Sequence, residues 1–244
     1  MKWNHKFALS IAGHDTSSGA GISADLQTFR ACGVYGLSVI TALTLQTHDE
    51  VKNLTWRNIS DILFEIETLF QNYPIESVKI GIVKNVVWLQ NIIECIRQQN
   101  KDCIIVVDTV WKSTSGTIFF EGNTIDILNL IDILTPNITE AEYFFGTKKP
   151  TEIQKKIGKT TAIYLKNSAT ENDGSDVLIT SNHRIEIPSS GFTFFEKHGS
   201  GCVLSSAIAG FSIVEPHREV ACRKAKILVD RFLSSDESLA GKIE

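Results

Sequence analysis

Short β-rich apolar runs alternate with segments of helical period through the first half of this chain, and that alternation limits the folds open to it. Residues 7–12, 35–43, 78–83 and 103–107 read as strands, and residues 22–32, 59–70 and 86–97 as helices. A helix between two strands carries the chain back across a sheet, so successive strands enter in the same direction. The expectation is a doubly wound, mainly parallel sheet with helices on both faces. Punctuation agrees, with Gly33 just after Cys32, and Asn58 or Ser60 ahead of the 59–70 pattern.

Further on, residues 131–134 close on Thr135-Pro136-Asn137, and 161–165 on Lys166. Residues 176–180 and 184–187 read as an antiparallel hairpin about Ser181-Asn182, followed by helices over 203–213 and 218–233. No internal repeat, low-complexity tract or long linker divides the chain, so residues 1–244 are expected to form a single domain. The chain carries 24 Lys and Arg against 28 Asp and Glu with no basic run, which disfavours a nucleic-acid partner. Its five cysteines show no Cys-x-x-Cys and no zinc spacing, and suit a reducing cytoplasm. The first apolar run is too short to span a membrane or act as a signal segment.

In open α/β sheets, ligands sit beyond the carboxyl ends of the strands. The polar groups that follow the apolar runs are Gly13-His14-Asp15, Gln46, Asp108, Asn137 and Lys166, which should meet at one edge. Lys197-His198-Gly199-Ser200-Gly201-Cys202 runs into another helix. Its glycines allow consecutive N–H groups to converge where the helix dipole is positive, making an anion site. The same dipole is expected to favour the thiolate of Cys202.

Several readings of these motifs stay open or fail on the residues alone. Residues 13–21 form a glycine-rich turn, but Leu43-Thr44-Leu45-Gln46 lacks the acidic residue of a dinucleotide site, and no Lys-Ser or Lys-Thr follows the glycines as in a Walker loop. Asp25, one turn into the first helix, reads as a solvated residue or dipole partner. Asn137 and Glu140 either support a water-bridged magnesium ion or belong to a cap in which Thr139 is the N-cap. Gly199-Ser200-Gly201 is not a Gly-x-Ser-x-Gly elbow, so a serine hydrolase is disfavoured.

Taken together, the chain resembles the phosphomethylpyrimidine kinases of thiamine biosynthesis, within the ribokinase-like superfamily. The resemblance rests on residues 10–29, Gly33-Val34-Tyr35-Gly36, Val78-Lys79-Ile80-Gly81, Val106-Val107-Asp108, Thr135 to Glu142, and His198 to Cys202, in order along the chain. It implies a three-layer α/β/α sandwich and ATP-dependent phosphorylation of 4-amino-5-hydroxymethyl-2-methylpyrimidine and its monophosphate, with Mg2+. By motif matching, Gly13, Ala20, Asp25 and Gln46 would line a pyrimidine pocket. Asp108, Asn137 and Lys166 would bind nucleotide phosphates, Glu140 and Asp108 would hold the metal, and Gly199, Ser200, Gly201 and Cys202 would form the catalytic loop, with Cys202 as base. The resemblance also suggests a cytoplasmic homodimer. Pyridoxal kinase activity, or a weakly catalytic pyrimidine-binding regulatory role, are the alternatives.

The chain departs from the family pattern in places. Asp108-Thr109-Val110-Trp111 replaces an Asp-Pro segment, Lys166-Asn167-Ser168-Ala169 replaces Lys-Gly-Gly-His, and Thr16 and Ser18 stand where Pro and Gly are usual. Phe192, Phe194 and Phe195 cluster in the expected flap before Gly199. These changes bear on nucleotide affinity and substrate range.

Overall fold

Apolar residues at alternate positions of the central strands divide between two layers of helices in the computed structural model, which describes residues 4–47, 51–110, 120–166 and 174–243. In β1 (Phe7–Asp15), Phe7, Leu9 and Ile11 enter one core while Ala8 enters the other. The same division holds in β5 (Ile104–Val107), β6 (Ile133–Leu134) and β7 (Ala162–Leu165), as the two-residue period of a strand buried on both faces requires.

The first core is covered by α2 (Ile59–Asn72), α3 (Val86–Gln99), α4 (Ile138–Phe145) and the short α5 (Pro150–Gln154). The second is covered by α1 (Gly21–Ala31), α6 (Ser200–Ser212) and α7 (Arg218–Ser234). The expected three-layer arrangement is therefore present. With β2 (Tyr35–Gln46), β3 (Val51–Trp56), β4 (Ile75–Ile80), β8 (Asp176–Ile179) and β9 (Arg184–Ile187), the sheet has nine strands in the order β3-β2-β1-β4-β5-β6-β7-β8-β9. The pairs from β2 through β7 are parallel, and the pairs β2–β3, β7–β8 and β8–β9 are antiparallel.

Three local features differ from expectation. β3 extends the sheet as an edge strand that the sequence pattern does not announce, because Lys52, Asn53 and Thr55 are exposed and leave little alternation. The cap of α4 is Asn137, not Thr139. Asn137 Oδ1 accepts from Glu140 N, and Glu140 Oε2 accepts from Asn137 N, each at 2.9 Å, forming a reciprocal capping box. A 3-10 helix over Thr124–Leu130 also precedes β6.

From β1 the chain crosses through α1 to β2 on one side, whereas β4 lies on the other. That reversal opens a crevice beyond the strand ends between β1 and β4. It puts residues far apart in sequence around one space.

Candidate active site

A cavity of about 240 Å³ occupies this crevice. Gly13, Ala20 and Gln46 line one side, Asp108, Asn137, Glu140 and Lys166 the other, and residues 199–202 lie among them. The expected meeting of Gly13-His14-Asp15, Gln46, Asp108, Asn137 and Lys166 at one edge holds. Asp25, which the resemblance would put in the pyrimidine pocket, does not line the cavity.

The loop after β1 is shaped by Asp15. Its Oδ1 accepts from the Ser17 N–H and hydroxyl, both at 2.8 Å, and its Oδ2 accepts from Ala20 N at 2.9 Å. His198 Nε2 lies 2.9 Å from the same Oδ2 and ties this loop to the segment before α6. Burial alone would push the Asp15 carboxyl up, but the hydrogen bonds from His198, Ser17 and Gln46 hold it well below the usual carboxylate range. Thr16 Oγ1 donates to Gln46 O at 3.0 Å and accepts from Gln46 N at 3.1 Å, fixing the end of β2 against the loop. Along β2, Leu43 and Leu45 are exposed while Thr44 is buried, so Thr44 and Gln46 share the face opposite the two leucines, and both line the cavity.

Two glycines are required here. Gly21 has φ +57°, and a Cβ there would fall 2.2 Å from Gly13 O. Gly199, the N-cap of α6, has φ +81°, and its Cβ would fall 1.9 Å from Gly19 O. Only glycine lets the two loops meet.

No side chain caps α6, and the N–H groups of Ser200, Gly201 and Cys202 have no hydrogen-bond partner among the described residues. They are free donors at the positive end of a helix. A Cβ on Gly201 would lie 3.6 Å from Lys166 Nζ and 3.8 Å from Asp108 Oδ2, so the helix end approaches this ion pair closely. The segment ahead of α6 is anchored from behind. Lys197 Nζ, fully buried, donates to Asp236 O and Ser238 O at 2.5 Å each and to Asp236 Oδ1 at 2.9 Å, while His198 N donates to Leu239 O at 3.0 Å.

The other side carries charge. Lys166 Nζ lies 3.4 Å from Asp108 Oδ1, and Asp108 also accepts from Thr135 at 3.3 Å and Ser205 at 3.2 Å. Burial pushes the Asp108 carboxyl up, yet Lys166 and Lys79 outweigh it and hold the group below its ordinary value. For Glu140, burial and the nearby Asp108 prevail over Lys166, and its carboxyl is raised. Its Oε2 accepts from Thr109 Oγ1 at 2.9 Å as well as from Asn137 N, leaving Oε1 unpartnered among the described residues.

Asp25 does not line the cavity, and it is not a solvated helix residue. It is fully buried, with Lys79 Nζ 2.8 Å from both carboxylate oxygens, Ser206 Oγ at 2.7 Å and Ser10 Oγ at 2.5 Å. Lys79 reaches the cavity in its place. The expectation for Cys202 is likewise corrected. Burial pushes its thiol up to about 11, which outweighs the opposing effect of Lys79, so the thiol is protonated at neutral pH.

The phenylalanine cluster also lies elsewhere. Phe195 N donates to Leu233 O at the end of α7, Phe194 stands under Lys226 of that helix, and Phe192 is exposed. Trp111, Asn167, Ser168 and Ala169 lie outside the described residues. Sequence reasoning missed the roles of Lys79, Asp15 and His198 in the site. The available signal for Lys79 was a cation inside an otherwise apolar strand.

The phosphomethylpyrimidine kinase family model matches residues 15–243. A hydroxymethylpyrimidine/phosphomethylpyrimidine kinase of Aquifex aeolicus (strain VF5) is 30% identical over 248 residues, covering 95% of this chain and 96% of the relative. Its counterpart in Haemophilus influenzae is 32% identical over 251 residues, covering 95% and 92%. Among solved structures, phosphomethylpyrimidine kinase from Clostridium difficile 630 aligns with a TM-score of 0.72 at 33% identity, covering 92% of this chain and 97% of that one. Pyridoxal kinase from Staphylococcus aureus in complex with ADP aligns with a TM-score of 0.81 at 23% identity, covering 95% and 89%, a likeness of fold. With the family match running from the Asp15 loop past the start of α6, this chain belongs to the phosphomethylpyrimidine kinase family and has its ribokinase-like fold.

Proposed function

We propose that this protein transfers the γ-phosphoryl group of ATP to 4-amino-5-hydroxymethyl-2-methylpyrimidine, and then to the resulting monophosphate, as a cytoplasmic enzyme of thiamine biosynthesis. The observation that carries the reading is the uncapped start of α6, which opens between a side lined by Gly13, Ala20 and Gln46 and a side lined by Asp108, Asn137 and Lys166. The first side suits a flat, uncharged ring, and the Gln46 amide can both donate to and accept from an aminopyrimidine edge. The second suits nucleotide phosphates. The N–H groups of residues 200–202 are the donors for the phosphoryl group in transit, whose loose transition state rewards positioning and charge stabilisation over strong base catalysis.

A magnesium ion fits the donor set. Among the described residues no three His, Cys, Asp or Glu side chains cluster to hold a metal by themselves, but Asp108 and Glu140 are hard oxygen donors and Oε1 of Glu140 is unengaged. One or two carboxylates plus substrate phosphates is the usual provision for Mg2+, which would supply charge neutralisation between the phosphates. Cys202 is the base in this reading. It acts through the small thiolate fraction that a thiol titrating near 11 retains at neutral pH.

The continuous sheet supports a single domain across residues 1–244, the free cysteines support a reducing compartment, and the exposed Leu43 and Leu45 on an edge hairpin support a homodimer. No helix among the described residues is long and apolar enough to cross a membrane. The test is a product-resolved kinase panel with the pyrimidine alcohol, its monophosphate and pyridoxal. ATP-dependent product from the two pyrimidines is expected. Higher kcat/KM on pyridoxal would instead make this a pyridoxal kinase, and pyrimidine binding without any product would make it a regulatory binder.

A further inference from the structure

Lys79 is the cation that sequence reasoning passed over, and its surroundings are specific. It stands on β4, between β1, which leads into the Gly13–Ala20 loop, and β5, which leads to Asp108. Its two hydrogen bonds both go to Asp25, while an ammonium carries three donors, so one N–H has no partner among the described residues. Asp25, by contrast, is saturated by Lys79, Ser10 and Ser206. Gly81 supplies the opening above it. A Cβ at Gly81 would lie 3.0 Å from Lys79 Nζ and 2.9 Å from Ala12 Cβ, and all three residues line the cavity. Lys79 is fully buried, and the missing side chain at position 81 is what lets its ammonium come up to the cavity wall.

We infer that Lys79 is the positive group that lets the acceptor side of the site take a phosphate-bearing pyrimidine, and that it serves the second phosphorylation more than the first. The inference rests on the proposed function and divides its two steps between two residues. In both steps the bond from the γ-phosphorus to the β-phosphate oxygen breaks, its electron pair leaves with ADP, and a lone pair on the acceptor oxygen forms the new O–P bond. When the acceptor is the alcohol, that oxygen also loses a proton, which the Cys202 thiolate receives. When the acceptor is the monophosphate, its oxygens are already largely deprotonated at neutral pH and no base is needed. The obstacle is then repulsion between two phosphates, which a buried ammonium at the meeting point relieves.

The experiment compares kcat/KM for the two pyrimidines in the wild type, Lys79→Met/Asp25→Asn, Gly81→Ala and Cys202→Ala. Pairing the first two substitutions avoids leaving a buried charge uncompensated. The Lys79/Asp25 variant should lose about ten- to a hundredfold more on the monophosphate than on the alcohol, the range of a charge-assisted hydrogen bond. Gly81→Ala keeps every charge and sets a methyl group between the ammonium and the cavity, so it should shift the ratio the same way even where the double variant fails to fold. Cys202→Ala should shift it the opposite way. Calorimetry of the two pyrimidines reads the same preference without turnover. Equal losses on both substrates, with a wild type active on both, would overturn the role of Lys79 while leaving the kinase reading intact. A wild type inactive on both would overturn the kinase reading. The calorimetric preference would then still decide for or against Lys79, and a wild type that binds only the alcohol decides against it.

Discussion

The two sides of the cavity are built on the same sheet edge by opposite means. At β1 and β2 the carboxylate, Asp15, is engaged by Ser17, Ala20 and His198, and the wall beside it is made largely of backbone and the Gln46 amide. At β5 to β7 the charges of Asp108 and Lys166 pair only at 3.4 Å and stay available beside the helix start, with Glu140 keeping a free oxygen. A ring side wants shape and a few directional hydrogen bonds, and the one buried cation beside it, Lys79, is kept paired with Asp25 so that its desolvation is offset. A phosphate side wants charge held in place beforehand. The division explains how one crevice handles two such different partners.

That contrast can be broken from the shared element first. Gly199→Ala forces a Cβ into Gly19 O at a left-handed backbone position, and should lower turnover on the order of 10²–10³, the cost of losing an oxyanion-type donor. Pyrimidine binding measured by calorimetry should change far less, and equal loss in both would mean the two sides are not separable.

The pH profile gives the next largest effect. The Cys202 thiol, raised by burial and by Asp25 and Asp108 against the pull of Lys79, titrates near 11, and its deprotonated form is the base we propose. Below that value kcat/KM for the alcohol should therefore rise about tenfold per pH unit. The monophosphate reaction should not follow, and a flat profile for the alcohol would remove Cys202 from proton transfer. The smallest effect is expected at the ring side. Gln46→Ala should raise KM for the pyrimidine about tenfold, the worth of one or two neutral hydrogen bonds, with kcat nearly constant.

The sheet and its covering helices were legible because periods of two and near four are written locally. The motif residues at the strand ends were legible for the same reason. β3 was not, since an edge strand open on both faces has no alternation to read. Asp25 shows a different limit. Its place, one turn into α1, reads locally as an exposed helix position, while its partner Lys79 is 54 residues away and meets it only because α1 packs on β1, the neighbour of β4. The pairing of His198 with Asp15 was not legible either, because the two stand 183 residues apart and meet only in the fold. The Cys202 expectation failed on magnitude. A helix dipole can be inferred from sequence, whereas the burial that outweighs it belongs to the assembled fold.

The grip of Lys197 and His198 on residues 236–239 makes that stretch a support of the proposed phosphate cradle. In ordinary terms, the floor of the transfer site is nailed down from the far end of the molecule. Design of shortened or fused versions of this protein has to treat that stretch as belonging to the site, and a proteolytic nick there as damage to the cradle itself.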